Sequence, residues 1–321
     1  MTSTSATGQL VFYACIFGGF MINVVAFLKS KDINMYLHNI SKLSYALCPN
    51  VPVGNKLVKW HMRIHMLGLL IVSAFMSFYF FYQEWKNLSE AFTLPFVFLN
   101  SFRDLSIRFI FSCIILSFTF SANISGTMLM LCENTYMTLS NIIKSYRKRL
   151  LNKFKSENYM KEPMTIDIKM LNMITKQVEQ ADNTLNMCTL LLYGMFICMF
   201  YITISIALSE EESLKTKVVK WYISWNFLIA IYLFSRLTLS GCRVQEESRK
   251  LRDVGIECSR RIVNSPADES TLMTFSLLLA SIEDSNSNVT VGGMFVIEKS
   301  LFLTVAGTIV TYGVLLFQTN E

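Results

Sequence analysis

The sequence predicts an all-α, polytopic membrane protein, and three observations predict it. Charge is scarce: hydrophobic residues make up 52% of the 321 and charged residues 16%, with a mean hydropathy of +0.41. A soluble domain carries about 25% charged residues. Six stretches are apolar enough to cross a hydrocarbon core, which takes roughly 20 residues of helix. The long segments between them keep apolar residues at three- and four-residue spacing, the period of a helix with one buried face.

The spans are expected at 10–28, 64–83, 109–131, 185–208, 221–240 and 300–318. The first follows "MTSTSATGQ", which has no basic n-region, so it reads as a retained span and not as a cleaved signal peptide. The fifth, "WYISWNFLIAIYLFSRLTLSG", is interrupted only by Arg236, close enough to one end for its side chain to reach the interface. The other spans lie in stretches free of Asp, Glu, Lys and Arg.

Between the spans, loops 29–63, 132–184 and 241–299 are long, and 84–108 and 209–220 are short. Ahead of Lys299 the long loops hold 21 Lys and Arg, while the short ones hold six, matched by six acids. The excess of Lys and Arg places the long loops in the cytoplasm, and six spans then put both termini outside. The chain divides accordingly into N-terminal spans (1–131), a cytoplasmic helical loop (132–184), two further spans (185–240), a cytoplasmic helical segment (241–299) and a last span (300–321). The eight cysteines lie in spans or long loops, so no disulfide framework is expected. The net charge of +6 belongs to those loops. No basic run interleaved with exposed aromatics suggests a nucleic-acid partner.

The long loops are not linkers. Leu139, Ile142, Ile143, Tyr146, Leu150, Leu151 and Phe154 recur at helical spacing, with the polar face supplied by "KSYRKRLLNKFK". Leu171, Ile174, Val178, Ala181 and Leu185 run into the fourth span in the same way, and Leu251, Val254, Cys258 and Ile262 follow the fifth. Leu272, Phe275, Leu279 and Ile282 repeat the pattern ahead of a Gly292–Gly293 break. Each such face needs a partner, so the spans are expected to extend inward and pack as a cytoplasmic helical bundle. Segments 139–154, 171–185 and 272–282 are also expected to carry contacts between copies of the chain.

The last span carries the most specific pattern. At about 100° per residue, Ser300, Thr304, Thr308, Thr311 and Gln318 share an arc of about 80°. The only apolar residue in that arc is Leu315. Tyr312 lies outside it, and Phe302, Ile309, Gly313 and Leu316 form the opposite face. Two readings fit. Small and hydroxyl residues pack helices together, with Gly307 allowing close approach. Alternatively, a polar stripe with one hydrophobic ring has the composition of a pore that gates by dewetting.

The octet "TYGVLLFQ" (311–318) resembles the last-helix signature of the insect gustatory receptors, where Phe usually follows. The lead-in "VGGMFVIEKSLFLTVAGTIV" is also similar, as is the order of a long inner loop, two closely linked spans, a second inner helical loop and a last span. The resemblance covers most of the chain from Leu10, and its specific part is the last thirty or so residues. It implies a chemosensory receptor that assembles as a tetrameric, ligand-gated, non-selective cation channel in the plasma membrane, with the last helices around one pore. Leu315 then matches the pore gate, Gln318 the pore-lining amide, and Thr311 with Tyr312 the first pair of the signature. Thr304 and Thr308 continue the stripe. The implied partners are an extracellular small-molecule tastant, cations in transit, the lipid bilayer, and copies of this or related chains in a homo- or heterotetramer. Two departures stand out: Thr319 occupies the usual Phe position, and six spans are visible where the family has seven. The loop "KSKDINMYLHNISKLSYAL" is similar to the one after the family's second span, so the family's first span is expected to be absent.

No catalytic motif and no cofactor or phosphate-binding loop appears, so no enzyme is expected. His61 and His65 have an i,i+4 metal spacing without a HExxH glutamate, and they read as interfacial residues. Asn87-Leu-Ser is a glycosylation acceptor in an outer segment, whereas Asn39 and Asn288 lie in inner loops and should stay bare. Asn23, Asn123, Trp225 and Asn226 are ligand-contact candidates or buried polar packing. A six-span transporter is the alternative reading, although no pair of broken-helix repeats is found. A G-protein-coupled receptor fits less well, given the long inner loops.

Overall fold

The computed structural model describes residues 17–47, 67, 68, 71, 104–155, 164–207, 217–262, 269–284 and 288–319. Apart from residues 67, 68 and 71, the expected span 64–83 lies outside this set, together with His61, His65 and Asn87. So do the side chains of Asn123, Trp225 and Asn226. The described residues form α1 (Phe17–Leu28), α2 (Ser30–Leu47), α3 (Asp104–Lys155), α4 (Thr165–Ala207), α5 (Lys217–Ile262), α6 (Glu269–Asp284), a hairpin of β1 (Thr290–Val291) and β2 (Phe295–Val296), and α7 (Ser300–Thr319).

Three helices set the architecture. α3, α4 and α5 run for 52, 43 and 46 residues without a proline. At 1.5 Å per residue α3 is roughly 78 Å long, more than twice the about 30 Å of a hydrocarbon core. Each of these spans therefore continues as a rod beyond the membrane, as the loop periodicity predicts. Thr165–Ser205 and Phe227–Arg260 are long and apolar enough to cross, and Phe17–Leu28 and Ser300–Leu315 are shorter apolar helices.

Outside the membrane the rods form a bundle. Leu139, Ile142, Ile143, Tyr146 and Leu150 of α3 are buried. They share one core with Leu171, Ile174, Val178 and Ala181 of α4, Leu251, Val254 and Cys258 of α5, and Ile33, Tyr36 and Ile40 of α2. α6 closes the side with Phe275, Leu278 and Ile282, and Phe275 meets Phe154 edge-to-face at 5.7 Å. Leu278 takes the inward place and Leu272 turns outward. The apolar faces of 139–154 and 171–185 thus meet inside the chain, as the bundle expected from their periodicity requires. α6 keeps Met273 and Leu277 exposed.

Charges lock the bundle at its rim. Arg147 and Lys250 both bond Glu247, at 3.0 and 2.9 Å, and Lys153 bonds Asp167 at 3.0 Å. Burial alone would raise the Glu247 carboxyl, but the hydrogen bonds from Lys250 and Arg147 outweigh it and hold the group below the usual carboxylate range. Nearer the spans, hydroxyl pairs take over. Tyr136 meets Thr189 at 2.9 Å and Tyr193 meets Thr238 at 2.8 Å, the kind of neutral hydrogen bond that joins helices in lipid. Arg236 forks onto Glu133 and donates to the Tyr232 hydroxyl.

Candidate functional site

α7 has three faces, and only one is covered. Val305 is buried, and Leu301, Phe302 and Ile309 pack against the chain's core. Phe302 meets Phe234 edge-to-face at 5.4 Å, while Phe234 itself meets Tyr193 of α4 at 5.4 Å. Tyr312 belongs to the same side. Its ring lies 4.3 Å from that of Tyr201, and its hydroxyl bonds Ser205 at 3.1 Å. The first pair of the signature is therefore split, with Tyr312 turned toward α4 and Thr311 turned away.

The second face is the stripe. Ser300, Thr304, Thr308, Thr311, Leu315 and Gln318 are all exposed, and Leu315 keeps 55% of its surface open. Each threonine hydroxyl donates one turn back along its own helix: Thr304 to the Ser300 carbonyl, Thr308 to Thr304 and Thr311 to Gly307, at 3.2, 2.8 and 2.9 Å. With the hydrogens so directed, the lone pairs of these oxygens are left for whatever lies outside. The third face, with Leu303, Val310 and Val314, is exposed and apolar. Among the described residues, and apart from the backbone of α7 itself, nothing lies within 4 Å of a Cβ built on Gly307 or Gly313.

The base of α7 is held quite differently. The Gly292–Gly293 break is the turn of the hairpin, with positive φ at both residues (63° and 72°), a region other residues rarely adopt. Ile297 is buried against Gly241, where a Cβ would come within 2.7 Å of it. Lys299 bonds Glu246 at 2.5 Å, and Gln245 donates to Glu298 at 2.9 Å. The hydrogen bond from Lys299 holds the Glu246 carboxyl below its usual range, and its partner in turn raises the Lys299 ammonium. No periodicity announces these contacts. Glu298 and Lys299 directly before a span, and the paired glycines before them, are the only traces in the sequence.

Among the ligand-contact candidates, Asn23 sits half-buried on α1 with its Oδ1 enclosed and without a hydrogen-bond partner. Among the described residues, no cluster of His, Cys, Asp or Glu could hold a metal ion.

Comparison with solved structures finds the same architecture. The olfactory receptor OR5 of Machilis hrabei in complex with eugenol superposes with a TM-score of 0.62 at 13% identity, covering 99% of this chain and 83% of that one. The structure of OR5 described without eugenol gives 0.59 at the same identity, covering 99% and 82%. No curated protein sequence matches. The family model described as the 7tm chemosensory receptor matches residues 5–320. That match takes in almost the whole sequence and accords with the helical architecture, and so the chain belongs to the 7tm chemosensory receptor family.

Proposed function

We propose that this chemosensory receptor is a subunit of a ligand-gated, non-selective cation channel of the plasma membrane, opened by an extracellular tastant. The observation that carries the reading is the exposed stripe of α7, in which hydroxyls and one amide are interrupted by the single apolar side chain of Leu315. A lone helix cannot enclose water, so several copies are required around an axis, most simply four, of this chain or of related ones. A ring of Leu315 side chains narrow enough to expel water blocks ions without any charge, and a small spreading or rotation of the helices rewets it. The threonine oxygens and the neutral Gln318 amide can replace part of a cation's hydration shell without holding it. That suits weak selectivity among cations.

The signature ending in Gln318 favours taste over smell. With the bundle in the cytoplasm, Leu315 and Gln318 lie toward the outer mouth. A carrier is less well supported, because carriers use helices broken at the midplane, whereas α4 and α5 are continuous throughout.

The reading is tested by recording whole-cell current without ligand. Leu315→Ser should leak cations several-fold above the unmodified chain, while Ile309→Ser, on the covered face, should lower the amount at the surface without a leak. Equal behaviour of the two, in chains that reach the surface, would turn the stripe into a packing seam.

A further inference from the structure

We propose that the contact between Asp182 on α4 and Thr290 in the hairpin is the stop that sets the resting position of α7, and that Asp182 is a positioning residue for the gate. The inference rests on the channel reading above and assigns a role to residues remote from the stripe.

The contact is unusually complete. The Asp182 carboxylate accepts from two donors of Thr290: the backbone N–H at 2.6 Å, and the hydroxyl, whose single hydrogen is shared between the two oxygens at 2.9 and 2.8 Å. One turn along α4 the Asn186 carbonyl accepts the Gly292 N–H at 3.1 Å. A further turn along, Leu190 lies so close that a Cβ on Gly292 would come within 2.9 Å of it. Three successive turns of one helix therefore grip a hairpin that contains only two residues per strand. Bonds to an ionised acceptor are the stronger kind, and a two-stranded hairpin of this size has no stability of its own.

What the hairpin controls follows from the chain's path. Thr290 lies ten residues ahead of Ser300, and the intervening segment is seated by buried Val291 and Ile297. Above that base, α7 exposes two of its three faces within its own chain. Its rotation about its own axis decides whether Leu315 points at the axis of an assembly. Within the chain that rotation is fixed by the covered face and by this base. Loosening the base lets the helix turn, and the closed ring of leucines is the arrangement with the least tolerance for turning.

The test uses the full chain and needs no ligand. Asp182→Asn, Thr290→Val and Thr290→Ser are expressed beside Leu315→Ser, and resting cation current is measured per receptor labelled at the cell surface. Asp182→Asn and Thr290→Val should each raise resting current by about tenfold, the scale set by losing a bond to a charged acceptor. Thr290→Ser, which keeps the hydroxyl, should match the unmodified chain. The double variant Asp182→Asn/Thr290→Val should add little to either single one, as for two partners in one contact.

Gly292→Ala provides a second route, because it strains the hairpin turn at a φ of 63° and sets a Cβ against the Leu190 side chain while leaving Asp182 in place, and it too should leak. Resting currents that stay at the unmodified level in these variants, or that rise equally in Thr290→Ser, overturn the stop. So does Gly292→Ala reaching the surface without a leak. If Leu315→Ser itself is silent the channel reading fails, whereas a leaking Leu315→Ser beside silent clamp variants removes the stop alone.

Discussion

The extramembrane bundle and α7 are both amphipathic helices, yet they use their second face in opposite ways. In the bundle, Leu139, Ile142, Tyr146 and Leu150 meet apolar faces of the same chain, and the polar remainder faces water or ends in ion pairs such as Arg147–Glu247. In α7 the covered face is narrow, and what remains includes both a hydroxyl stripe and an apolar strip with Leu303 and Val310. Helix faces that their own chain leaves open indicate what lies beyond it. The apolar faces of α3 and α4 in the bundle find partners within one copy, whereas two faces of α7 stay open in it.

The comparison is broken most directly by truncating a side chain on each side. Leu150→Ala, in the enclosed core, should cost about 2–5 kcal/mol through lost burial and a residual cavity, seen as a large fall in the melting temperature of the detergent-solubilised protein. Val314→Ala, on the open apolar strip, should leave the melting of a dissociated single chain within about 0.5 kcal/mol, while weakening assembly if copies pack there. A Val314→Ala effect as large as that of Leu150→Ala would mean that the face is already covered.

Tyr312→Phe sharpens the boundary between the covered face and the stripe. It keeps the ring against Tyr201 and removes only the hydroxyl bond to Ser205, a change worth about 0.5–1.5 kcal/mol. Current–response curves should shift by up to about tenfold in effective concentration with unchanged surface expression. An unshifted curve would make the hydroxyl bond irrelevant to gating.

The smallest effect expected is acid sensitivity of the bundle and of the base of α7. Glu247, facing Arg147 and Lys250, and Glu246, facing Lys299 and Lys250, have folded pKa values below the ordinary one. The stability they contribute is therefore complete above the usual carboxylate range, about 4.3, and is lost as pH falls through the lower folded values. Melting temperature should decline across that acid window, and Glu247→Gln should flatten the decline. A steeper decline in that variant would contradict the assignment.

Much of this was legible in the sequence, for a physical reason. A helix that buries one face must repeat its apolar residues at its own period, so the bundle faces at Leu139–Phe154 and Leu171–Leu185 are written in the order of the residues themselves. What packs against them is not. The same period marks a face covered by its own chain or by another, and it takes the structure to show which elements of this chain meet the faces of 139–154 and 171–185. The hairpin was visible only as two glycines, since two-residue strands leave no alternation to detect. The Asp182 clamp left no trace at all, because a carboxylate in an amphipathic helix looks like part of its solvated face. On α7, periodicity could define the stripe, and the structure shows that it is uncovered in a single copy.

The central claim is that the stripe, and neither of the other two faces, lines a water path. Cysteines placed singly at Thr311 on the stripe, Val310 on the open apolar strip and Val305 on the covered face are to be exposed to a charged thiol reagent while current is recorded. Modification at Thr311→Cys should change the current within the reagent exposure, and Val310→Cys and Val305→Cys should be indifferent. Equal sensitivity at all three positions, or a response at Val310→Cys with none at Thr311→Cys, would contradict it.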